Sequence, residues 1–220
     1  MSTESGRLGS DDVAIWNRRY SEAGHNARVS SDPWSAAWET AVTGLPRGRA
    51  LDLGCGLGFD TERLLVMGFE VVAVDFSAEA VALSRQRSPQ ARYLVADIRQ
   101  LPEDMGGPFE LVVANLSLHY FERSDTEAVF HRIFDLLSPA GVFLFRLNAE
   151  DEVGAPADPS SWKLVKVAGV WKQFFDLHKI HGLLRGRFEV LGLEKWTSER
   201  FGARKSLYEG TVRKSSHGPD

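Results

Sequence analysis

The sequence predicts one open, doubly wound α/β sheet, mostly parallel, that ends in a C-terminal antiparallel hairpin. Three observations predict it. From residue 49 onward, short apolar runs alternate with helical stretches, the pattern of a strand–helix repeat. Phe69–Val74 is almost continuously apolar, as a strand buried on both faces of a parallel sheet must be. Finally, only Glu199–Arg204 separates the strand-like runs Phe188–Ser198 and Lys205–Val212, a connection too short for a parallel crossover. The 220 residues, 43% hydrophobic and 25% charged, suffice for one such core and exclude a disordered, fibrous or repeat chain.

The elements follow in order. Residues 1–10 and 215–220 are small and polar and read as flexible ends. Asp11 and Asp12 read as the cap of a helix through Tyr20, and Asp32-Pro33 opens a second short helix with Trp34 and Trp38. Arg49–Leu53 is the first strand, Thr61–Met67 a helix with Asp60 or Thr61 as its cap, and Phe69–Val74 the second strand. Ser77 caps a helix to Gln86. Arg92–Ala96 and Phe109–Ala114 are strands three and four, Thr126–Leu137 a helix, and Val142–Leu147 strand five. The loop Asn148–Ser161 is acidic, Gly/Pro-rich and long for such a connection, which often means function, and 148–170 is the expected acceptor-side loop. A helix around Gln173–Leu184 then leads into the hairpin. The domain spans 11–214, with 11–45 as N-terminal lid helices.

One cysteine excludes a disulfide framework or a Cys-built zinc site. No apolar run approaches the ~20 residues of a membrane helix, and the polar start is not a signal peptide. The expectation is therefore a cytoplasmic protein with no membrane partner. Charge is uneven. Residues 1–160 carry 14 Arg, no Lys and 24 acidic residues, whereas 161–220 carry 12 basic and 6 acidic residues, including all seven lysines. This basic part reads first as a solvated face; the functional alternative is attraction for an anionic acceptor or a polynucleotide.

The chemistry is concentrated at strand ends. Asp52-Leu53-Gly54-Cys55-Gly56-Leu57-Gly58 leaves the first strand and enters a helix, so the glycines can turn tightly and let backbone approach a ligand. The spacing is G-x-G-x-G rather than the G-x-G-x-x-G of a dinucleotide site. Asp52 disfavours a pyrophosphate and suits a ligand with sulfonium and ammonium groups. Asp75 ends the second strand about 20 residues on, where an acid accepts from ribose hydroxyls, and Phe76 beside it can cover an adenine face. Asp97 and Ile98 end the third strand, with an acceptor for an exocyclic amine and an apolar surface for the ring. Taken alone, Asp75 could be a helix cap and Asp97 a loop residue.

These pieces, with FELVVANLSLHYF (109–121) and LLSPAGVFLFRLN (136–148), resemble the class I S-adenosylmethionine-dependent methyltransferases. The resemblance implies a Rossmann-like, seven-stranded sheet and S-adenosyl-L-methionine as cofactor, with S-adenosyl-L-homocysteine as product. It implies that Gly54, Gly56 and Gly58 cradle the methionine and ribose portion, that Asp75 holds the ribose, that Asp97 and Ile98 address the adenine, and that Asn115 lines the methionine end. Within the superfamily, the flanks Trp16…Arg19-Tyr20, LSLHYF (116–121) and RLNAEDEVG (146–154) look like the small-molecule branch related to tellurite-resistance methyltransferases. Ala140 stands where the turn before strand five usually has glycine.

On the acceptor side, His119 is the candidate base, or else a wall residue; Tyr120 adjoins it. Arg146 and Asn148 are candidates for binding an anionic or polar acceptor, or Arg146 pairs with Asp151 or Glu152. Trp16 and Tyr20 are either a lid over the cofactor or core residues, and Trp171, Phe174 and Phe175 either an aromatic acceptor pocket or core. Cys55 reads as a small residue in a tight loop, not a nucleophile. There is no G-x-S-x-G elbow, Walker loop or HExxH, and no metal is expected. The residues 115–118 lack the paired prolines of amino-methyltransferases that grip a flipped base, so nucleic acid is a poor partner. The expectation is methyl transfer to a small-molecule acceptor by a monomer or homodimer. The alternatives are a non-catalytic cofactor-binding partner subunit and a nucleotide-dependent oxidoreductase.

Overall fold

The computed structural model describes residues 10–24, 34, 38, 41–200 and 203–216. The expected helix start at Asp32-Pro33 and most of both expected flexible ends lie outside these residues. In chain order the elements are α1 (Ser10–Ala23), β1 (Arg49–Leu53), α2 (Phe59–Val66), β2 (Glu70–Asp75), α3 (Ala78–Arg87), β3 (Arg92–Val95), β4 (Phe109–Asn115), α4 (Arg123–Leu136), β5 (Leu137–Asn148), β6 (Val165–Val167), β7 (Val170–Lys172), α5 (Leu177–Leu184), β8 (Phe188–Arg200) and β9 (Ala203–Lys214). Seven strands form one sheet in the order β3-β2-β1-β4-β5-β9-β8. The first five run parallel, and β9 pairs antiparallel with both β5 and β8. The chain winds outward from β1 to β3 and then returns to β4, so the order reverses between β1 and β4. In an open α/β sheet that reversal opens a crevice at the carboxyl ends of the strands.

Alternate residues of the central strands serve two faces. Leu51, Leu53, Val112, Ala114, Phe143 and Phe145 pack against α4 and α5 through Phe130, Ile133 and Ile180. Ala50, Val71, Leu111, Val113 and Leu144 pack against Trp34, Trp38 and Leu64. Both faces are therefore dry, which is why the strands read as unbroken apolar runs.

Several boundaries move for identifiable reasons. Helix α1 begins at Ser10, so Asp11 and Asp12 lie in its first turn, and it continues past Tyr20. Helix α2 is capped by Gly58 at φ 80 rather than by Asp60 or Thr61, both of which lie inside it. Ser77 does cap α3, accepting from the Ala80 amide at 3.1 Å. The helix expected from Gln173 starts only at Leu177, where the Asp176 carboxylate accepts the Lys179 amide at 2.8 Å. Ahead of it the chain makes the two-stranded β6–β7 hairpin, which turns on Ala168 (φ 50) and Gly169 (φ 85). Two successive left-handed residues match the twist of a two-residue hairpin.

Strand β5 starts at Leu137, with a register shift against β4 between Phe109 and Leu111. The irregularity falls at Ala140, whose φ is 60. A Cβ there works against left-handed backbone. Ala140→Gly should therefore raise stability by about 0.5–1 kcal/mol, net of the greater freedom glycine gives the unfolded chain. Urea unfolding of the two proteins checks this.

Candidate active site

The crevice between β1 and β4 is floored by the glycine loop. The Gly54 and Cys55 amides donate to the Val74 carbonyl at 2.7 and 3.0 Å, folding the loop over the end of β2. Gly54 has φ 76, and a Cβ on it would stand 2.4 Å from Cβ of Ser117; Gly58 has φ 80, and a Cβ would stand 2.2 Å from Oγ of Ser84. Neither position has room for a side chain. Ser117 reaches back because Leu116, at φ 58, turns the chain as it leaves β4, and its hydroxyl donates to the Leu53 carbonyl at 2.6 Å. A left-handed leucine at a strand end is strained, and such strain collects at functional sites. Nothing in the residue type signals it.

Three carboxylates surround the loop. Asp75 accepts from the Gly56 amide at 3.0 Å and the Ser77 amide at 2.9 Å, tying the loop to the end of β2. Asp52, 1% exposed, accepts from the Thr61 hydroxyl at 2.5 Å. Asp60 accepts from the Trp34 indole at 3.1 Å and from the Asn115 amide nitrogen at 2.8 Å. Burial, and then the like charge of Asp60, push the Asp52 carboxyl up to about 8. Burial likewise raises Asp60 and Asp75 against the hydrogen bonds that favour their charged forms. Oδ1 of Asn115 is buried with no hydrogen-bond partner, an unspent acceptor beside this group. Sequence reasoning placed Asp60 only as a cap and missed Thr61 and Ser117 as partners.

On the other side of the loop, Cδ1 of Ile98 stands 3.7 Å from where a Cβ on Gly54 would be, and Phe76 is half-buried beside Asp75. Asp97 caps the short helical turn Ile98–Gln100, accepting from the Arg99 amide at 2.9 Å, and is also held by the Arg99 guanidinium at 2.7 Å. Arg99 reaches Asp125 at 3.0 Å as well.

Helix α1 covers the crevice. Trp16 lies 5.7 Å from Tyr20 and meets Tyr120 edge-on at 5.5 Å, and Tyr120 lies 4.2 Å from His119. The Tyr20 hydroxyl is 3.2 Å from where a Cβ on Gly56 would stand. Asn17 accepts from the Ser77 hydroxyl at 2.5 Å, fastening α1 to the cap of α3. Burial, reinforced by the charge of Asp75, drives the Tyr20 phenol upward, so it stays neutral. The same cause acts on Tyr120.

His119 is 2% exposed. Burial pushes its imidazole well below the ordinary range, and the charges of Lys172 and Lys205 push further. Its ring is therefore neutral at pH 7, and its Nδ1 has no partner. Asn148, at the end of β5, is buried, and its Nδ2 also lacks a partner.

Arg146 is placed differently from both expectations. It is buried, its Nε donates to Glu209 of β9 at 2.6 Å, and its guanidinium stacks 4.5 Å from the Trp34 ring. Glu209, directly opposite it in the β5–β9 register, replaces Asp151 and Glu152 as partner. Those two acids bind Ser206, Lys195 and Lys205 instead. The charge of Arg146 acts on Asp60, while the charges acting on His119 are lysines; the two candidate catalytic groups face different neighbours. Phe174 and Phe175 are core, whereas Trp171 is 48% exposed. Among the described residues no group of three or more His, Cys, Asp or Glu side chains is placed to hold a metal, and no helix is long and apolar enough to cross a membrane.

Fold and site together define an α/β domain of Rossmann-like architecture whose strand-order reversal carries a side-chain-free loop ringed by carboxylates. Residues 50–141 match the family described as a methyltransferase domain. The chain is 29% identical over 162 residues to the malonyl-[acyl-carrier protein] O-methyltransferase of Enterobacter lignolyticus (strain SCF1), covering 72% of this chain and 62% of the relative. It is 31% identical over 142 residues to the ubiquinone biosynthesis O-methyltransferase of Xanthomonas campestris pv. campestris (strain B100), covering 62% and 59%. The chain thus spans about three fifths of the length of these curated relatives. Its fold matches the crystal structure of the N-methyltransferase NodS from Bradyrhizobium japonicum WM9 in complex with S-adenosyl-L-homocysteine, with a TM-score of 0.70 at 15% identity, covering 94% of this chain and 100% of that one.

The buried Asp52 has a measurable signature. The folded protein keeps its proton up to about pH 8, whereas the unfolded chain releases it near pH 4. Wild type therefore loses stability as pH rises through that interval. Asp52→Asn should show a distinctly flatter stability profile between pH 5 and pH 8, and denaturant titrations at several pH values check it.

Proposed function

We propose that this protein is an S-adenosylmethionine-dependent methyltransferase that moves a methyl group in-line to a small-molecule acceptor. The observation that carries the reading is the set of carboxylates, buried Asp52 and Asp75 with half-buried Asp60, around a side-chain-free loop at the reversal point of the sheet. Two of them are starved of cations, which suits a ligand that brings its own positive charge.

When bound, the cofactor supplies a methyl group already activated on a sulfonium. The protein residues position and enclose it. Gly54, Cys55, Gly56 and Gly58 present backbone to the methionine and ribose portion. Asp75 is aimed at the ribose hydroxyls, and Phe76, Asp97 and Ile98 at the adenine. Asp52, with Asp60 behind it, and Asn115, with its spare carbonyl oxygen, take the ammonium end. Trp16 and Tyr20, on the 11–45 lid, exclude water and leave a closed, low-dielectric space, which favours a displacement in which charge is quenched. Alignment of donor and acceptor can supply roughly 7–11 kcal/mol of the barrier.

Tyr120 and Asn148, with the 148–170 segment, line the acceptor side. His119, neutral at pH 7, takes a proton at Nδ1 from a hydroxyl or amine acceptor as the new bond to carbon forms; an acceptor that arrives as an anion needs no base. Arg146, bonded to Glu209, serves the Asp60 side of the site. The names of the two curated relatives above favour an oxygen acceptor, and the flanking motifs 116–121 and 146–154 favour the small-molecule branch related to tellurite-resistance methyltransferases. We place the protein in the cytoplasm, as a monomer or homodimer.

Calorimetric titration with S-adenosylhomocysteine, with NAD as control, tests the reading. Micromolar binding is expected, silent toward NAD and weakened at least ~10-fold in Asp75→Asn, since hydrogen bonds to a charged group are worth about 1.5–3 kcal/mol each. No binding, or a preference for NAD, would overturn it.

A further inference from the structure

We propose that the acceptor is an organic anion, a carboxylate-bearing small molecule, seated between His119 and Asn148 with Lys172 as its counter-ion. This rests on the methyltransferase reading and names the substrate class of the same site.

The geometry comes from the way the β6–β7 hairpin joins the sheet. The amide of Gln173 donates to the His119 carbonyl at 2.7 Å, and that of Phe175 donates to the Asn148 carbonyl at 2.9 Å. Residues 173–175 are thus laced to the ends of both β4 and β5, and Lys172 immediately precedes them on β7. Three residues on these backbone-laced segments, His119, Asn148 and Gln173, have almost wholly buried side chains. Each keeps one polar atom without a partner, Nδ1 of His119, Nδ2 of Asn148 and Oε1 of Gln173. Buried polar groups are nearly always bonded, so three orphans on neighbouring residues mark a place built for something polar.

The charges say which sign. Lys172 and Lys205 are the cations that act on His119, and Lys172 also feels Lys205 and Arg19 as like charges. Glu152 is the opposing charge there, and it is already engaged by Lys205 at 2.9 Å and by the Ser206 amide. Arg19 donates to the Ala168 carbonyl at 2.6 Å, joining the covering helix to the hairpin. Lys172 itself, only partly exposed, makes no hydrogen bond or ion pair with the described residues. A half-buried ammonium that acts on His119, together with the unpaired amide N–H₂ of Asn148 on the strand laced to the same segment, matches a carboxylate, which needs donors and a positive charge. The basic C-terminal part of the chain thereby acquires a specific target.

The test uses the protein saturated with S-adenosylhomocysteine and two matched probe pairs, benzoate against benzamide and malonate against malonamide, titrated calorimetrically at constant ionic strength. At least one carboxylate is expected to bind ~10-fold or more tightly than its amide, and Lys172→Gln should erase the difference. Lys172→Arg should retain it, and Lys166→Gln, on the exposed side of the same hairpin, should not change it. Unaltered S-adenosylhomocysteine affinity in Lys172→Gln shows that the variant is folded. Carboxylates that bind no better than amides, or a preference that survives Lys172→Gln, would overturn the inference while leaving the methyltransferase reading intact. Failure of wild type to bind S-adenosylhomocysteine would overturn both.

Discussion

A carboxylate buried at the centre of the sheet is the constraint around which this molecule is arranged. Asp52 lies within β1, between Ala73 on one neighbouring strand and Val113 on the other, so it cannot reach water. The groups that act on it most are burial itself, the like charge of Asp60 and the Thr61 hydroxyl. No cation is among them. A buried charge without a cation is costly, and the group responds by holding a proton. The left-handed Gly58 lets α2 start immediately after the loop, which brings Thr61 beneath Asp52 and puts Asp60 beside Asn115. Loop, helix start and the Leu116 turn are thus parts of one device that holds titratable carboxyls at the crevice and keeps side chains out of it.

The opposite wall carries the opposite sign. His119, Tyr120 and Asn148 stand where β4 and β5 end, and the hairpin β6–β7 brings Lys172 to them. In our reading the positive donor and the negative acceptor each meet complementary charge, which orients them head to tail. The aromatic contacts of Trp16 with Tyr20 and Tyr120 link the two halves.

Much of this was legible in the sequence because it rests on local chemistry. The glycine loop, the acid ending β2 and the continuous apolar strands follow from backbone sterics and from burial on two faces, and both leave marks on single segments. The short hairpin connection near residue 200 likewise fixed the antiparallel end. What was not legible depends on pairs distant in the chain. Arg146 finds Glu209 through the β5–β9 register, 63 residues on, and no spacing rule reaches that far. The β6–β7 strands are three residues each, too short for periodicity, although Ala168-Gly169 between alternating residues was an available turn signal. Gln173 and Lys172 gain meaning only once the hairpin docks on β4.

The account stands most directly on the claim that Asp52 waits for a positively charged ligand. S-adenosylhomocysteine carries an ammonium group; set against Asp52, it should draw that carboxyl down from about 8 and displace its proton. Calorimetry of S-adenosylhomocysteine binding at pH 7, repeated in buffers of low and high ionisation enthalpy, measures that proton. The account predicts release of about one proton per site at pH 7, fading above pH 9 and absent in Asp52→Asn. Binding whose heat is independent of the buffer at pH 7, or release that persists in Asp52→Asn, would contradict it.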